Sequence, residues 1–321
     1  MSQLRLKVSS VEAPTDRIRA LTLASEDGRK LPGYRAGAHI RIALPHGGER
    51  HYSLINPDAG SDTSSGVRTY RLGVLMEPES KGGSRYMHGL KPGDTIATSA
   101  PKNEFGLVAH EGPAILLAGG IGVTPIISMA AELKRAGRPF EFHYSGRSRP
   151  LMAFVDEIEE TFGDALNIYC DDEAERCLDL SGLIERAPAD AHFYVCGPRG
   201  MIEAVRDRAL PEGFSKDRVH FELFDRPEEQ SGDQPFEVEV KSTGEVFTIP
   251  PGRTIIEVLE EGGVDLVYDC QRGDCGICQT SVLEGVPDHR DVILTEDERA
   301  ANDVMQICVS RAKSARLVLD L

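Results

Sequence analysis

Four cysteines crowd the last quarter of the chain, and their spacing constrains the fold more than any other feature. Cys270, Cys275 and Cys278 follow a C-x₄-C-x₂-C pattern, and Cys308 comes after a long gap. This is the spacing of a plant-type site for a 2Fe-2S cluster. Two irons and two bridging sulfides need four thiolates around one small cage. A tight loop can supply three of them, and a distant strand the fourth. Gly273 and Gly276 let such a loop curl with its N–H groups toward sulfur. Zinc sites favour paired two-residue spacings, so zinc fits this pattern less well, and four inert buried thiols are the plainest alternative. Cys170, Cys177 and Cys196 lie elsewhere; the first two read as ordinary thiols. An odd total of seven cysteines with four clustered indicates metal ligation in a reducing, cytoplasmic setting, not a disulfide framework.

Composition limits the partners. The 321 residues allow two or three domains, and an apolar share of 40% suits large cores. A net charge of −16 argues against nucleic acid and anionic lipid, and favours a partner with a basic patch. The start, Met1 to Lys7, alternates polar and apolar residues like a strand and has no apolar signal core. The longest apolar run, Pro113 to Ala131, is broken by Gly and Pro, which argues against a membrane span.

Three textures follow one another. Residues 1–107 hold short alternating runs broken by Gly and Pro, such as Leu4–Val8, His39–Leu44 and Tyr70–Leu75, and predict a small antiparallel β-barrel. Residues 108–226 alternate strands (Ala114–Ala118, Phe140–Tyr144, Ala191–Cys196) with helices (Ile126–Ala136, Leu151–Phe162, Arg199–Ala209), and predict a parallel α/β sheet. Residues 227–234 read as a polar linker. Residues 235–321 open on a hairpin pattern and a helix over Thr254–Glu261, then carry the cysteines. This last segment has 8 basic and 17 acidic residues, a net of −9, so it holds more than half of the excess charge.

Two glycine turns belong to the middle segment. Gly119-Gly-Ile-Gly-Val-Thr-Pro125 follows a buried strand and opens a helix. That is where a dinucleotide pyrophosphate sits in an α/β sheet, with Gly120 and Gly122 giving close backbone approach. Pro125 stands where the usual pattern ends in glycine, but it suits a first helical turn, where its missing N–H costs nothing. Tyr194-Val-Cys-Gly-Pro198 ends a later strand and brings Cys196 toward the same crevice. The plain alternatives are a strand–turn–helix connection at Gly119–Pro125 and a simple buried cysteine before a turn at Cys196.

Taken together, these motifs resemble the phthalate dioxygenase reductase family, within the ferredoxin–NADP reductase superfamily; vanillate demethylase reductase subunits look similar. The resemblance covers nearly the whole chain in the same domain order, and implies a C-terminal β-grasp ferredoxin domain. Arg50-His-Tyr-Ser53 resembles the family's R-x-Y-S/T flavin motif. It implies that Tyr52 packs on the isoalloxazine, Arg50 meets the phosphate and Ser53 hydrogen-bonds the ring. Lys81-Gly-Gly-Ser84 resembles the phosphate turn, with donors from Gly83 and Ser84, and Pro101–Phe105 closes the flavin domain. His220–Phe224 resembles the family's end signature, in which Phe224 covers the flavin until nicotinamide displaces it. Thr124 and Cys196 would line the hydride contact. The implied flavin is FMN, with FAD the alternative. The implied coenzyme is NADH, its ribose near Asp171; Arg147 and Arg149 keep NADPH open.

The resemblance implies an oxidoreductase that takes a hydride from NADH and passes single electrons through the 2Fe-2S cluster to a terminal oxygenase component, of Rieske type. A monomer suits such transient docking. A reductase for a cytochrome P450 is the alternative within the class, and a redox-sensing regulatory module the alternative outside it.

Overall fold

In the computed structural model, residues 3–321 are described except 79, 81, 228 and 229. The first residues, Lys81 of the phosphate turn and part of the 227–234 linker therefore lie outside the described residues. The chain packs as two compact units, Met1–Glu222 and Leu223–Leu321.

The alternation at the N-terminus becomes a strand over Gln3–Thr15, with Leu6 and Val8 buried and Lys7 exposed. Register shifts between Val8 and Ser10 and between Glu12 and Thr15 bend it. Its antiparallel sheet runs in the order Glu49–Ser53, Ala38–Ala43, Thr95–Ser99, Gln3–Thr15, Ile18–Ser25 and Thr69–Leu75, the flavin-type β-barrel the sequence predicts. Leu21, Leu23, Ile40, Ile42, Tyr70 and Leu72 fill its core. A short helix, Gly83–Gly89, packs against the last strand of that order.

The second sheet is parallel, in the order Leu166–Cys170, Phe140–Gly146, Ala114–Gly119, His192–Cys196, Val219–Glu222. Chain order reverses beside Ala114–Gly119, so both glycine turns lie at the carboxyl ends of the two strands flanking the switch point. The helix after the first turn spans Val123–Arg135, three residues earlier than the pattern predicts, because a 3₁₀ turn over Gly120–Gly122 feeds straight into it. The helix expected from Leu151 begins only at Val155. Arg149–Leu151 forms a 3₁₀ turn containing Pro150, and Phe154 adopts a left-handed φ of 63°, which breaks the run. A helix over Leu180–Arg186, capped by Asp179 accepting from the Gly182 N–H, escaped the periodicity because it is short.

Barrel and parallel sheet meet within the first unit. Ser128 Oγ donates to Leu54 O and accepts from Asn56 N, at 2.7 and 2.8 Å. Arg71 makes a forked contact with Glu157 at 2.8 Å and lies over the Phe154 ring.

In the second unit the sheet order is Val246–Ile249, Phe236–Val240, Arg316–Leu319, Gln279–Glu284, Val304–Gln306. Phe236–Val240 pairs parallel with Arg316–Leu319, and its other pairings are antiparallel. The Ile255–Glu261 helix starts on a capping box between Thr254 and Glu257, and buries Ile255, Ile256 and Leu259 in the core of this β-grasp. Asp233, read in sequence as part of a solvated linker, is anchored instead: Arg290 grips it, Arg311 stands 3.7 Å away and its side chain is 7% exposed. The Arg290 guanidinium holds its carboxyl below the usual range.

Candidate redox site

The cysteine loop has little regular structure of its own. Gln271, Gly273 and Gly276 all take positive φ, at 54°, 84° and 76°. At Gly273 a β-carbon would also meet Asp291 Cα at 3.0 Å, so only glycine fits. The curl brings Cys270, Cys275 and Cys278 to Cys308, which comes from the turn after the Val304–Gln306 strand. Cys270 lies within reach of Cys275 and Cys308, and Cys278 within reach of Cys308. Arg272 N donates to Cys270 Sγ at 3.3 Å, and Cys278 Sγ donates to Gln306 Oε1 at 3.5 Å. The Cys270 thiol is pulled far down because Cys275 and Cys308 donate to it, and both donors are pushed up. Four thiols gathered within reach of one another, with a backbone N–H aimed at sulfur, fit a group that binds thiolates.

Sequence reasoning passed over Asp274, between the cysteines. Its side chain is 4% exposed, and burial pushes its carboxyl up to about 7. It accepts from Leu223 N at 2.8 Å and faces Arg272 at 3.5 Å, and the neighbouring Cys270 adds to the upward push. An acid set between the clustered cysteines was the available signal.

In the first unit the Glu49–Ser53 strand puts Arg50 and Tyr52 on one face and Ser53, buried, on the other. Arg50 lies against the start of the Gly83–Gly89 helix: a β-carbon on Gly83 would sit 2.8 Å from its Cγ and Nε. A guanidinium beside a helix start at a glycine fits a phosphate. Tyr52 keeps its proton, since burial and then the Glu77 charge push its hydroxyl up. The Ser84 hydroxyl is engaged, accepting from Glu77 N and donating to Ser80 Oγ, so a ligand would meet its backbone.

At the sheet's switch point Gly122 lies against the other turn: a β-carbon there would sit 2.1 Å from Cys196 O. Thr124 and Cys196, both buried, lie where these two turns meet, and the Thr124 hydroxyl donates to Ile121 O. The Thr124 methyl also reaches Gly73 of the barrel. Gly120 takes a left-handed φ of 54°. The ribose candidates lie side by side: Asp171 N bonds Gly146 O and Asp172 N bonds Arg147 O. Arg149 is committed to Glu159 at 2.6 Å. Phe224 is half-buried in a turn of the second unit.

These features define a class of protein: a flavin-type barrel and a nucleotide-type parallel sheet joined to a 2Fe-2S ferredoxin fold. The family model described as "2Fe-2S iron-sulfur cluster binding domain" matches residues 238–313. Vanillate O-demethylase oxidoreductase of Acinetobacter baylyi is 38% identical over 323 residues, covering 100% of both chains. A solved phthalate dioxygenase reductase is 35% identical with a TM-score of 0.73, covering 100% of this chain and 98% of that one. An intact type IV self-sufficient cytochrome P450 monooxygenase is 35% identical with a TM-score of 0.72, covering 99% of this chain but only 41% of its own length. The chain belongs to the phthalate dioxygenase reductase family, the reductase components of oxygenase systems, and is an oxidoreductase with a 2Fe-2S domain. Among the described residues no helix is long and apolar enough to cross a membrane.

Proposed function

We propose that this reductase takes a hydride from NADH onto FMN and delivers single electrons through its cluster to a Rieske-type terminal oxygenase. In this reading residues 1–107 hold the flavin, 108–226 the nucleotide and 235–321 the cluster, with 227–234 between them. It works as a monomer in the cytoplasm.

One observation carries the proposal: the loop and the turn after Val304–Gln306 bring Cys270, Cys275, Cys278 and Cys308 within reach of one another. Bound flavin would supply the exchange between a two-electron donor and a one-electron acceptor. The chain's residues do the rest. Arg50, with the backbone of Gly83 and Ser84, holds the flavin phosphate, while Tyr52 and Ser53 orient the ring. Gly120 and Gly122 admit the pyrophosphate to the crevice, and Thr124 and Cys196 line it where nicotinamide must lie. Phe224 covers the ring until nicotinamide arrives and excludes water from the contact. NADH is favoured over NADPH because Asp171 and Asp172 flank the Arg147 backbone and Arg149 is already neutralised by Glu159. A carboxylate near the ribose repels a 2′-phosphate.

The test is the visible spectrum of the purified protein before and after anaerobic NADH, with NADPH in a second cuvette. Flavin bands over a broad iron–sulfur absorbance, both bleaching with NADH, are expected. Bound flavin without a cluster, in anaerobically prepared protein, would reduce the function to flavin reduction; a folded, colourless protein would overturn it. The likeness to the self-sufficient P450 favours a second reading, electron delivery to a haem oxygenase. Coupled assays with each partner type separate the two.

A further inference from the structure

Three ties converge on the four residues Leu223–Arg226, just after the last strand of the parallel sheet. Leu223 N donates to Asp274 Oδ2 at 2.8 Å. Arg226 Nη2 donates to Gln271 Oε1. Arg226 Nη1 reaches Glu257, the capping residue of the Ile255–Glu261 helix, at 3.5 Å. Two of the three anchor points, Gln271 and Asp274, sit inside the Cys270–Cys278 loop, which has no helix or strand of its own. The Leu223 side chain is buried at 2% exposure, and Asp274 at 4%. A carboxylate in such a place is costly unless it is bound, and the bonds it makes are correspondingly strong. Asp274, next to Cys275 in the chain, therefore ties the cysteine loop to the Leu223 N–H.

We infer that Asp274 is a positioning residue for electron transfer, clamping the Leu223–Arg226 segment to the cysteine loop so that Phe224 and the cluster ligands move as one piece. The inference rests on the proposed function, because it assigns Phe224 to the flavin face. Asp274 neither donates nor accepts an electron; it fixes where the ligand loop stands relative to the segment that carries Phe224. A misplacement of about 1 Å in such an arrangement can cost on the order of 100-fold in rate.

The experiment uses the full-length holoprotein and compares Asp274→Ala, which removes the acceptor, with Asp274→Asn, whose amide oxygen still accepts from the Leu223 N–H. Rapid mixing with NADH follows flavin bleaching and then cluster bleaching, and electron paramagnetic resonance reads cluster content. With Asp274→Ala, cluster reduction is expected to slow by about tenfold or more at equal cluster content, a larger loss than any change in the rate of flavin reduction. Asp274→Asn is expected to restore most of the loss. Hydrogen exchange resolved to the Leu223 amide should show strong protection in the unsubstituted protein and in Asp274→Asn, lost in Asp274→Ala. A wild-type rate of cluster reduction in a cluster-loaded Asp274→Ala overturns the inference, as does rapid exchange at Leu223 in the unsubstituted protein. If Asp274→Ala fails to load a cluster, Arg226→Ala tests the clamp from its exposed side. Slower cluster reduction there supports the clamp, and an unchanged rate overturns it. Failure of the parent proposal looks different: the unsubstituted holoprotein would not bleach with NADH, while the Leu223 amide would still report the clamp.

Discussion

The cysteine loop and the flavin–nucleotide crevice are built by opposite strategies. The loop takes three of the four clustered cysteines from nine consecutive residues, Cys270–Cys278, and bends the backbone to suit them. The crevice takes its parts from the Glu49–Ser53 strand, the start of the Gly83–Gly89 helix and the Gly119–Thr124 turn, and relies on backbone groups and one guanidinium. Side-chain chemistry concentrated in one loop leaves a sharp mark on sequence. A cradle of backbone N–H groups leaves only glycines, which many turns also use. The two sites should therefore fail differently: the loop through loss of a ligand, the crevice through loss of shape or charge.

The largest effect is expected at the loop. Cys275→Ser should abolish the cluster signal in absorbance and electron paramagnetic resonance while leaving flavin reduction by NADH nearly intact. Loss of both would erase the contrast and make the cluster a structural requirement of the whole chain. At the crevice, Gly122→Ala places a β-carbon 2.1 Å from Cys196 O, a backbone atom that no rotamer change can move aside. It should destabilise the protein by about 3 kcal/mol, lower the first unit's melting temperature by roughly 6–12 °C and raise KM for NADH. An unchanged melting curve and KM would mean that the two turns need not approach. Arg50→Ala should weaken flavin retention by about 10- to 100-fold, the scale of one charge-assisted hydrogen bond. Free flavin released on dialysis reads this, and full retention would remove Arg50 from the phosphate site.

The smallest effect lies at the opposite end of the parallel sheet. His192 Nδ1 and His220 Nε2 are 3.0 Å apart, and the His110 ring stacks on His192 at 3.9 Å. Burial first, and then His192, push His110 and His220 down to about 4; burial and then Arg218 lower His192. Arg138 opposes protonation of His110 and His192, while Asp190 and Asp217 favour it. These rings are neutral in the folded protein, whereas an unfolded histidine titrates near about 6.5. As pH falls below that value the unfolded chain binds protons that the folded one does not, so stability is lost progressively down to about 4. Urea unfolding across this range should show the loss, with a shallower slope in His220→Gln and little change in NADH binding, since the crevice is at the other edge. An equal slope in the variant would assign the acid sensitivity elsewhere.

The gathering of the four cysteines, the barrel, the parallel sheet and the switch-point turns were legible because each leaves a periodic or spaced pattern. Helix limits were less so. Val123–Arg135 starts early because a 3₁₀ turn merges with it, and Val155–Phe162 starts late because Phe154 turns left-handed; neither event has a composition signature. Asp233 read as linker because acids in polar stretches are ordinarily solvated, yet Arg290, 57 residues away, holds it.

Sequence alone determined what kind of chemistry this chain can hold, since thiol spacing and glycine placement are properties of neighbouring residues. Only the tertiary structure decided which charged groups are engaged: Arg149 by Glu159, Asp233 by Arg290, and Asp274 by the Leu223 N–H. Burial and pairing are set by residues far apart in the chain, and a buried charge has a defined role only once its partner is in place.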